Sequence, residues 1–373
     1  MKTFLTITLS LLITCVTASA AQITLGNLLI FRVDGNGAAL GSDGAIVKVD
    51  EYTTNGAFVQ TFTMPSGANG TNLVASGSAT SEGKFSFSPD GAYLALIGYD
   101  AQENTASVKA TLNRTIARIK STDGTVDYST TGPLGGNDNT RAVAVNNAGT
   151  KFWAAIAGTT GTSDTGRGPR YIPFGSGSAG TQLANINIRG CSIYADQLYE
   201  WGDASGNYGV YGVGSGLPET SGQTLNGLAG ISGTTLGTYG IFMADLDTTE
   251  AGYDTLWMAR DAVGVSKYSK VSGTWTLNNT VDPGAALHIG GIKEGGNNVS
   301  IYIVEGSAGG STRIMKMTDT AGYNANMSEA SFTEVVGDAS VNEAFRGVAI
   351  AAIPEPALLG VAGMAVLAFL RKR

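Results

Sequence analysis

One short pattern returns along this chain and limits what it can fold into. Two bulky apolar residues sit side by side just after a turn-forming triplet. The pairs lie in Tyr93-Leu94-Ala95, Phe152-Trp153-Ala154, Leu198-Tyr199-Glu200, Leu256-Trp257-Met258 and Ile301-Tyr302-Ile303. The triplets before them are Pro89-Asp90-Gly91, Asn147-Ala148-Gly149, Ala195-Asp196-Gln197, Gly252-Tyr253-Asp254 and Gly296-Asn297-Asn298. A turn that feeds a buried strand is hairpin chemistry. A second theme, an apolar-x-basic-apolar run, follows the pairs and has one N-terminal copy before the first of them. It reads Ile46-Val47-Lys48-Val49, Ile116-Ala117-Arg118-Ile119, Val265-Ser266-Lys267-Tyr268 and Ile314-Met315-Lys316-Met317. Tyr171-Ile172-Pro173-Phe174 and Val210-Tyr211-Gly212-Val213 are degenerate copies. Alternation of period two marks half-buried strands. From Ile46 to Ile314 the theme takes five steps of about 54 residues. Periods near 40–50 with several strands per unit are the signature of β-propeller blades.

The expected fold is therefore all-β, a propeller of six blades. The stretch Ser86-Phe87-Ser88-Pro89-Asp90-Gly91-Ala92-Tyr93-Leu94-Ala95 looks like the inner-strand turn of many propeller blades. The ends of the body add an argument. Asn27 to Val33, Ala45 to Tyr52 and Ala57 to Met64 read as three strands with no inner strand before them. Phe345 to Ile350 reads as an inner strand with no outer strands after it. Joined, they make one four-stranded blade and leave the ring no open edge. The long step between Ile46 and Ile116 leaves room for a seventh blade around Leu73 to Ser76. A pair of β-sandwiches and a β-helix solenoid remain alternatives. Nowhere in the body do apolar residues keep helical spacing for three turns. With 53 glycines and only 14% charged residues, short strands joined by tight turns suit the composition.

The two ends read as processing segments. Residues 1–20 carry Lys2, an apolar run from Phe4 to Val16, and a small-x-small site at Ala18-Ser19-Ala20. That is a signal peptide cleaved before Ala21. A lipoprotein signal ending at Cys15 is the rival, weakened by Thr14 before the cysteine. Residues 354–373 begin Pro354-Glu355-Pro356, continue as an uncharged run from Ala357 to Leu370, and end Arg371-Lys372-Arg373. As a short apolar helix this run reaches about 21 Å, less than the ~30 Å of a bilayer core. It suits a transient membrane anchor with its basic end at the cytoplasmic face. In this order the three parts resemble the PEP-CTERM sorting domain of bacterial exosortase substrates. The resemblance covers the last twenty residues. It implies passage through the export machinery, removal of the tail by an exosortase, and a place near extracellular polysaccharide. Domain boundaries follow: signal 1–20, body 21–353, tail 354–373.

Charge and chemistry-bearing residues narrow the function. The formal net charge is −7, and the body between the two end segments carries about −10. So acidic a body is a poor partner for nucleic acid. Cys191 is the sole cysteine after residue 20, so no internal disulfide is expected, and it reads as a small buried hydrophobe. His288 is the sole histidine, with no Gly-x-Ser-x-Gly elbow to partner it, and reads as a packed or channel-facing residue of an inner strand. Zinc sites of the usual kind lack ligands. Calcium needs only oxygen donors. Its candidate ligands are Asp245, Asp247, Glu250 and Asp254, and secondly Asp34, Asn36 and Asp43; both groups read equally as turn acids. Trp153 and Trp257 fall on the repeated strand and read as core, whereas Trp201 and Trp275 are free to stack on sugars. Arg141, Arg189 and Arg346 each begin an inner strand and could ring one mouth of the channel to bind an anion, or pair with neighbouring acids.

No catalytic set emerges. The leading expectation is an exported surface or matrix propeller with a binding or structural role, associated with exopolysaccharide. The alternative is a calcium-dependent hydrolase or lyase working in the central channel.

Overall fold

The computed structural model describes residues 21–134, 138–158, 167–204, 207–232, 237–260, 262–306 and 311–351. Strands β1 (Leu28–Asp34), β2 (Gly44–Tyr52) and β3 (Phe58–Thr63) are antiparallel neighbours in that order. After the three-residue β4 (Val74–Ser76) comes a meander of β5 (Lys84–Phe87), β6 (Tyr93–Tyr99), β7 (Arg114–Lys120) and β8 (Val126–Gly132). The next is β9 (Thr140–Val145), β10 (Lys151–Ile156), β11 (Gly168–Pro173) and β12 (Thr181–Gln182). Then come β13 (Gly190–Tyr194), β14 (Gln197–Ala204), β15 (Asn207–Val213) and β16 (Leu225–Gly227). These are followed by β17 (Gly240–Ala244), β18 (Thr255–Arg260), β19 (Gly264–Val271) and β20 (Thr274–Val281). The last full meander is β21 (Ala286–Gly295), β22 (Asn298–Gly306), β23 (Thr312–Asp319) and β24 (Thr333–Val336). One strand is left over, β25 (Glu343–Ile350). It lies antiparallel along the free side of β1, with Leu28 opposite Ile350 and Ile30 opposite Val348. The first three strands and the last thus form one sheet, β25-β1-β2-β3, as the unpaired ends of the sequence demanded.

The inner strands follow one another in a closed circuit. β25 packs on β5 and β21, and β5 pairs in parallel with β9, Lys84 facing Ala142. β9 packs on β13, the Tyr194 hydroxyl of β13 donates to the Ile241 carbonyl of β17 at 3.0 Å, and β17 packs on β21. Antiparallel four-stranded sheets set radially about an axis make a β-propeller. At one point of the circuit the strands nearly touch. A Cβ on Gly347 of β25 would stand 2.2 Å from the Gly83 carbonyl oxygen, so only glycine fits there.

The recurring bulky pair now has a physical reason. Successive residues of a strand point to opposite faces, so two adjacent large side chains serve two neighbouring sheets at once. Phe152 packs with Ala95, Ile97 and Ile116 of the meander before it, while Trp153 packs with Cys191, Leu198 and Val213 of the one after. Leu256 and Trp257 divide in the same way, as do Ile301 and Tyr302. Each cluster sits between two adjacent sheets, and the cluster of Leu28, Ile30, Tyr302, Ile314 and Val348 joins the last sheet to the first. Burying each such side chain contributes about 1.5–3 kcal/mol.

Strand boundaries lie within a residue or two of the expected ones. The segment around Leu73 to Ser76 is β4, a short bridge between β2 and β6 rather than the start of a meander of its own. Among the described residues the helical content is one turn of 3-10 helix, Val108–Ala110, and no helix is long and apolar enough to cross a membrane. The signal-cleavage residues Ala18 and Ala20 lie outside the described residues, as do Pro354, Glu355, Pro356, Arg371, Lys372, Arg373 and the apolar run between them. Ala21 is the first described residue and is exposed.

Candidate functional site

The residues that begin the inner strands are polar, and the closed circuit turns them toward one another. Lys84 opens β5, Arg141 is the second residue of β9, and Arg189 and Tyr239 stand just before β13 and β17. His288 is on β21 and Arg346 on β25. Lys84 is 1% exposed, Arg346 2% and Arg141 8%. Desolvation pushes the Lys84 ammonium well below its ordinary range, and the positive charges of Arg141, Arg189 and Arg346 push it further. Burial brings Arg141 down to about 10, with Arg189 adding to the effect, and burial brings Arg346 to about 10 as well.

Two carboxylates approach this group. Asp203 is engaged by the Arg189 guanidinium. Glu82 accepts from the Tyr99 hydroxyl at 2.5 Å, from Asn139 Nδ2 at 2.6 Å and from the Ser76 amide at 2.8 Å. Burial nonetheless raises the Glu82 carboxyl above the usual range, with those hydrogen bonds and Arg141 pulling the other way. Tyr239 lies beneath two cations, Arg189 at 5.0 Å and Lys84 at 5.5 Å from its ring centre. His288 accepts the Val348 amide on Nδ1 at 3.1 Å. Burial, with Lys84 adding to it, lowers the ring to about 3, so the imidazole is neutral and its proton sits on Nε2.

Next to this group is a cavity of about 250 Å³ inside the circuit of inner strands. Lys84 and His288 line its base. Its wall combines Tyr194, Phe242 and Tyr253 with Ile193, Ile241 and Ile289, and Ser86 and Ser192 add hydroxyls. A second cavity of about 320 Å³ is lined by Gly77, Leu40, Asn342, Glu343 and Arg346. The Arg346 guanidinium also donates from Nη2 to the Gly77 carbonyl at 2.7 Å.

Arg141, Arg189 and Arg346 are therefore brought together around Lys84, mostly buried rather than at an open rim, and Arg346 lines the second cavity. Lys84 escaped the sequence reading. It occupies the same position as Arg141-Ala142-Val143 in its own strand, Lys84-Phe85-Ser86, and comparing the starts of the inner strands would have found it.

The acidic candidates are not assembled. Asp254 is fully buried and accepts the amides of Leu246 and Asp247 and the Thr255 hydroxyl. Asp247 caps Thr249 through its amide and hydroxyl. Asp34 accepts the Asn36 amide and pairs with Lys48, and Asp43 accepts the Ser107 amide. Asp34 and Asp247 thus cap tight turns, while Asp43 and Asp254 tie neighbouring loops together, and among the described residues no group of three or more acidic, histidine or cysteine ligands is placed to hold a metal ion. Trp153 and Trp257 are fully buried, as expected. Trp201 and Trp275 are buried too, at 3% and 6%, which removes them from sugar stacking. Cys191 is 2% exposed, and burial pushes its thiol far above the ordinary range.

No family model matches this chain, and no curated protein does. Among solved structures the chain is similar to a chain of the nidogen/laminin complex, at 12% identity and a TM-score of 0.47, covering 87% of this chain and 98% of that one. A glucose dehydrogenase is similar at 10% identity and a TM-score of 0.45, covering 80% and 98%. A putative 6-phosphogluconolactonase from Bacteroides uniformis is similar at 12% identity and a TM-score of 0.44, covering 86% and 98%.

Proposed function

We infer that this protein is an exported six-bladed propeller that acts at the cell surface or in the extracellular matrix as a binding module for acidic polysaccharide. The observation that carries the binding role is the central cavity, which Lys84 lines, with Arg141, Arg189 and Arg346 close enough to act on Lys84 by charge. Such a group of cations attracts a carboxylate- or sulfate-bearing chain. The acidic exterior would repel the same polymer elsewhere, which confines binding to the channel. Six four-stranded meanders, counting the one shared by the two ends, support the blade number. The export role rests on the signal segment ending at Ala20 and on the tail that begins Pro354-Glu355-Pro356. A non-catalytic role is favoured by carboxylates that serve as caps and ion-pair partners rather than as a facing pair.

The test has two arms. In cell fractions, the mature protein is expected to start at Ala21 and to lack residues 354–373 by intact mass. On a column of immobilised polyuronate, it is expected to be retained with EDTA present and to leave the polymer undegraded. Retention that needs calcium, or release of shortened polymer, would move the reading to the hydrolase or lyase alternative.

A further inference from the structure

The group of cations around Lys84 holds more donors than the protein satisfies. Lys84 Nζ, Arg141 Nε and Nη1, and Arg346 Nε and Nη1 are all buried without a hydrogen-bond partner. Buried charges are normally paired, because an uncompensated one is costly to the fold. The two nearby carboxylates do not meet this need. Asp203 serves Arg189, and Glu82 is held by Tyr99, Asn139 and Ser76. Five orphaned donors on three cations, one of them lining the central cavity, describe a receptor for an anion. Arginine forks match the planar pair of oxygens of a carboxylate, and lysine adds a point charge.

The wall of the cavity indicates what carries the anion. A cavity of about 250 Å³ is near the lower end of small-molecule sites and suits one sugar ring. Tyr194, Phe242 and Tyr253 offer flat faces for the apolar side of such a ring, while Ser86, Ser192 and the His288 Nε2 proton offer polar contacts. The geometry points to an oxyanion site in which Lys84, reinforced by the unpaired charges of Arg141 and Arg346 beside it, takes the carboxylate or sulfate of a single acidic sugar unit seated in the cavity. This rests on the polymer-binding reading and names the group that the channel recognises.

Thermal unfolding and titration calorimetry of the full-length protein, at fixed ionic strength in chloride, test it with glucuronate, glucose and sodium sulfate. Glucuronate is expected to raise the unfolding midpoint by roughly 4 °C at a hundredfold excess over its Kd. Glucose is expected to do nothing. In Lys84→Met the affinity for glucuronate should fall at least tenfold. The midpoint of that variant without ligand should equal or exceed the parent's, because a buried unpaired charge is gone. Arg346→Gln, a milder change, should show the same loss of affinity, which guards against a folding artefact. Sulfate acts on all proteins through exclusion from their surface, so only a sulfate response lost in Lys84→Met counts. If that response matches the one to glucuronate, the site is an oxyanion site with an inorganic occupant. No response of the folded parent to either anion, or an equal response to glucose, overturns the site. Undiminished retention of Lys84→Met on polyuronate, with no small-anion response, would discard the site and leave the polymer reading standing. Loss of column retention by the parent itself would remove that reading instead.

Discussion

Glu200 shows how a single side chain reports on the interior. It lies on β14, fully buried, between Cys191 of β13 and Tyr211 of β15. One carboxyl oxygen accepts Asn207 Nδ2 at 3.3 Å and the other has no partner. Burial pushes the group up to about 8, and the Asn207 bond opposes this only in part. In the unfolded chain it titrates near 4.3. The folded form therefore holds a proton that the unfolded form has lost. Its favourable contribution is complete below the unfolded value and disappears as the pH rises through the folded one. Glu200→Gln keeps the shape and removes the titration. Its stability relative to the parent is expected to grow between pH 5 and pH 8, by on the order of 4 kcal/mol. Urea denaturation across that range checks it. The difference matters rather than either curve alone, because His288, lowered by burial, tilts the parent the other way. A Glu200→Gln protein less stable than its parent at pH 8 would show that the carboxylate is ionised and used.

At the scale of strands, the basic residue of the second recurring theme joins neighbouring sheets in two of its copies. Lys267 on β19 is fully buried, reaches Asp319 on β23 at 2.7 Å and donates to the Gly322 carbonyl at 2.7 Å. Arg118 on β7 donates to the Gly149 carbonyl at 2.6 Å and stacks on Phe174, 3.9 Å from its ring centre. Removing one member of a buried pair leaves the other charge stranded. Lys267→Met is therefore expected to destabilise the protein by about 3–5 kcal/mol, and Lys267→Met with Asp319→Leu to recover most of the loss. Chemical denaturation of the single and double variants measures this; equal losses in both would mean that the pair contributes nothing of its own. The strands that carry these residues were legible because they face two packed layers and must alternate bulky side chains. The outermost strands were not. β12 is Thr181–Gln182 and β16 is Leu225–Gly227, short and partly exposed, so no burial pattern marks them. Lys84 was missed for a related reason. A lone lysine ordinarily signals solvent, and only the ring, which brings distant strand starts together, makes it an interior charge.

For the whole molecule, closure decides everything else. Without it β1 and β21 would end the row of sheets, and Arg346 would not reach the group around Lys84. The closing strand was legible because Phe345 to Ile350 is too apolar to stand alone at an edge. The cavity it helps to line was not legible, because its size depends on where side chains from six strands come to rest. A crosslink tests closure most directly. Leu29 and Ala349 are Cα partners across β1 and β25. With Leu29→Cys and Ala349→Cys, mild oxidation is expected to give a monomer with an internal disulfide and faster mobility on non-reducing gels. Tying ends some 320 residues apart should add roughly 3–5 kcal/mol of stability, less any strain. Free thiols at both positions after oxidation, or disulfides only between molecules, would mean that the last strand does not complete the first sheet.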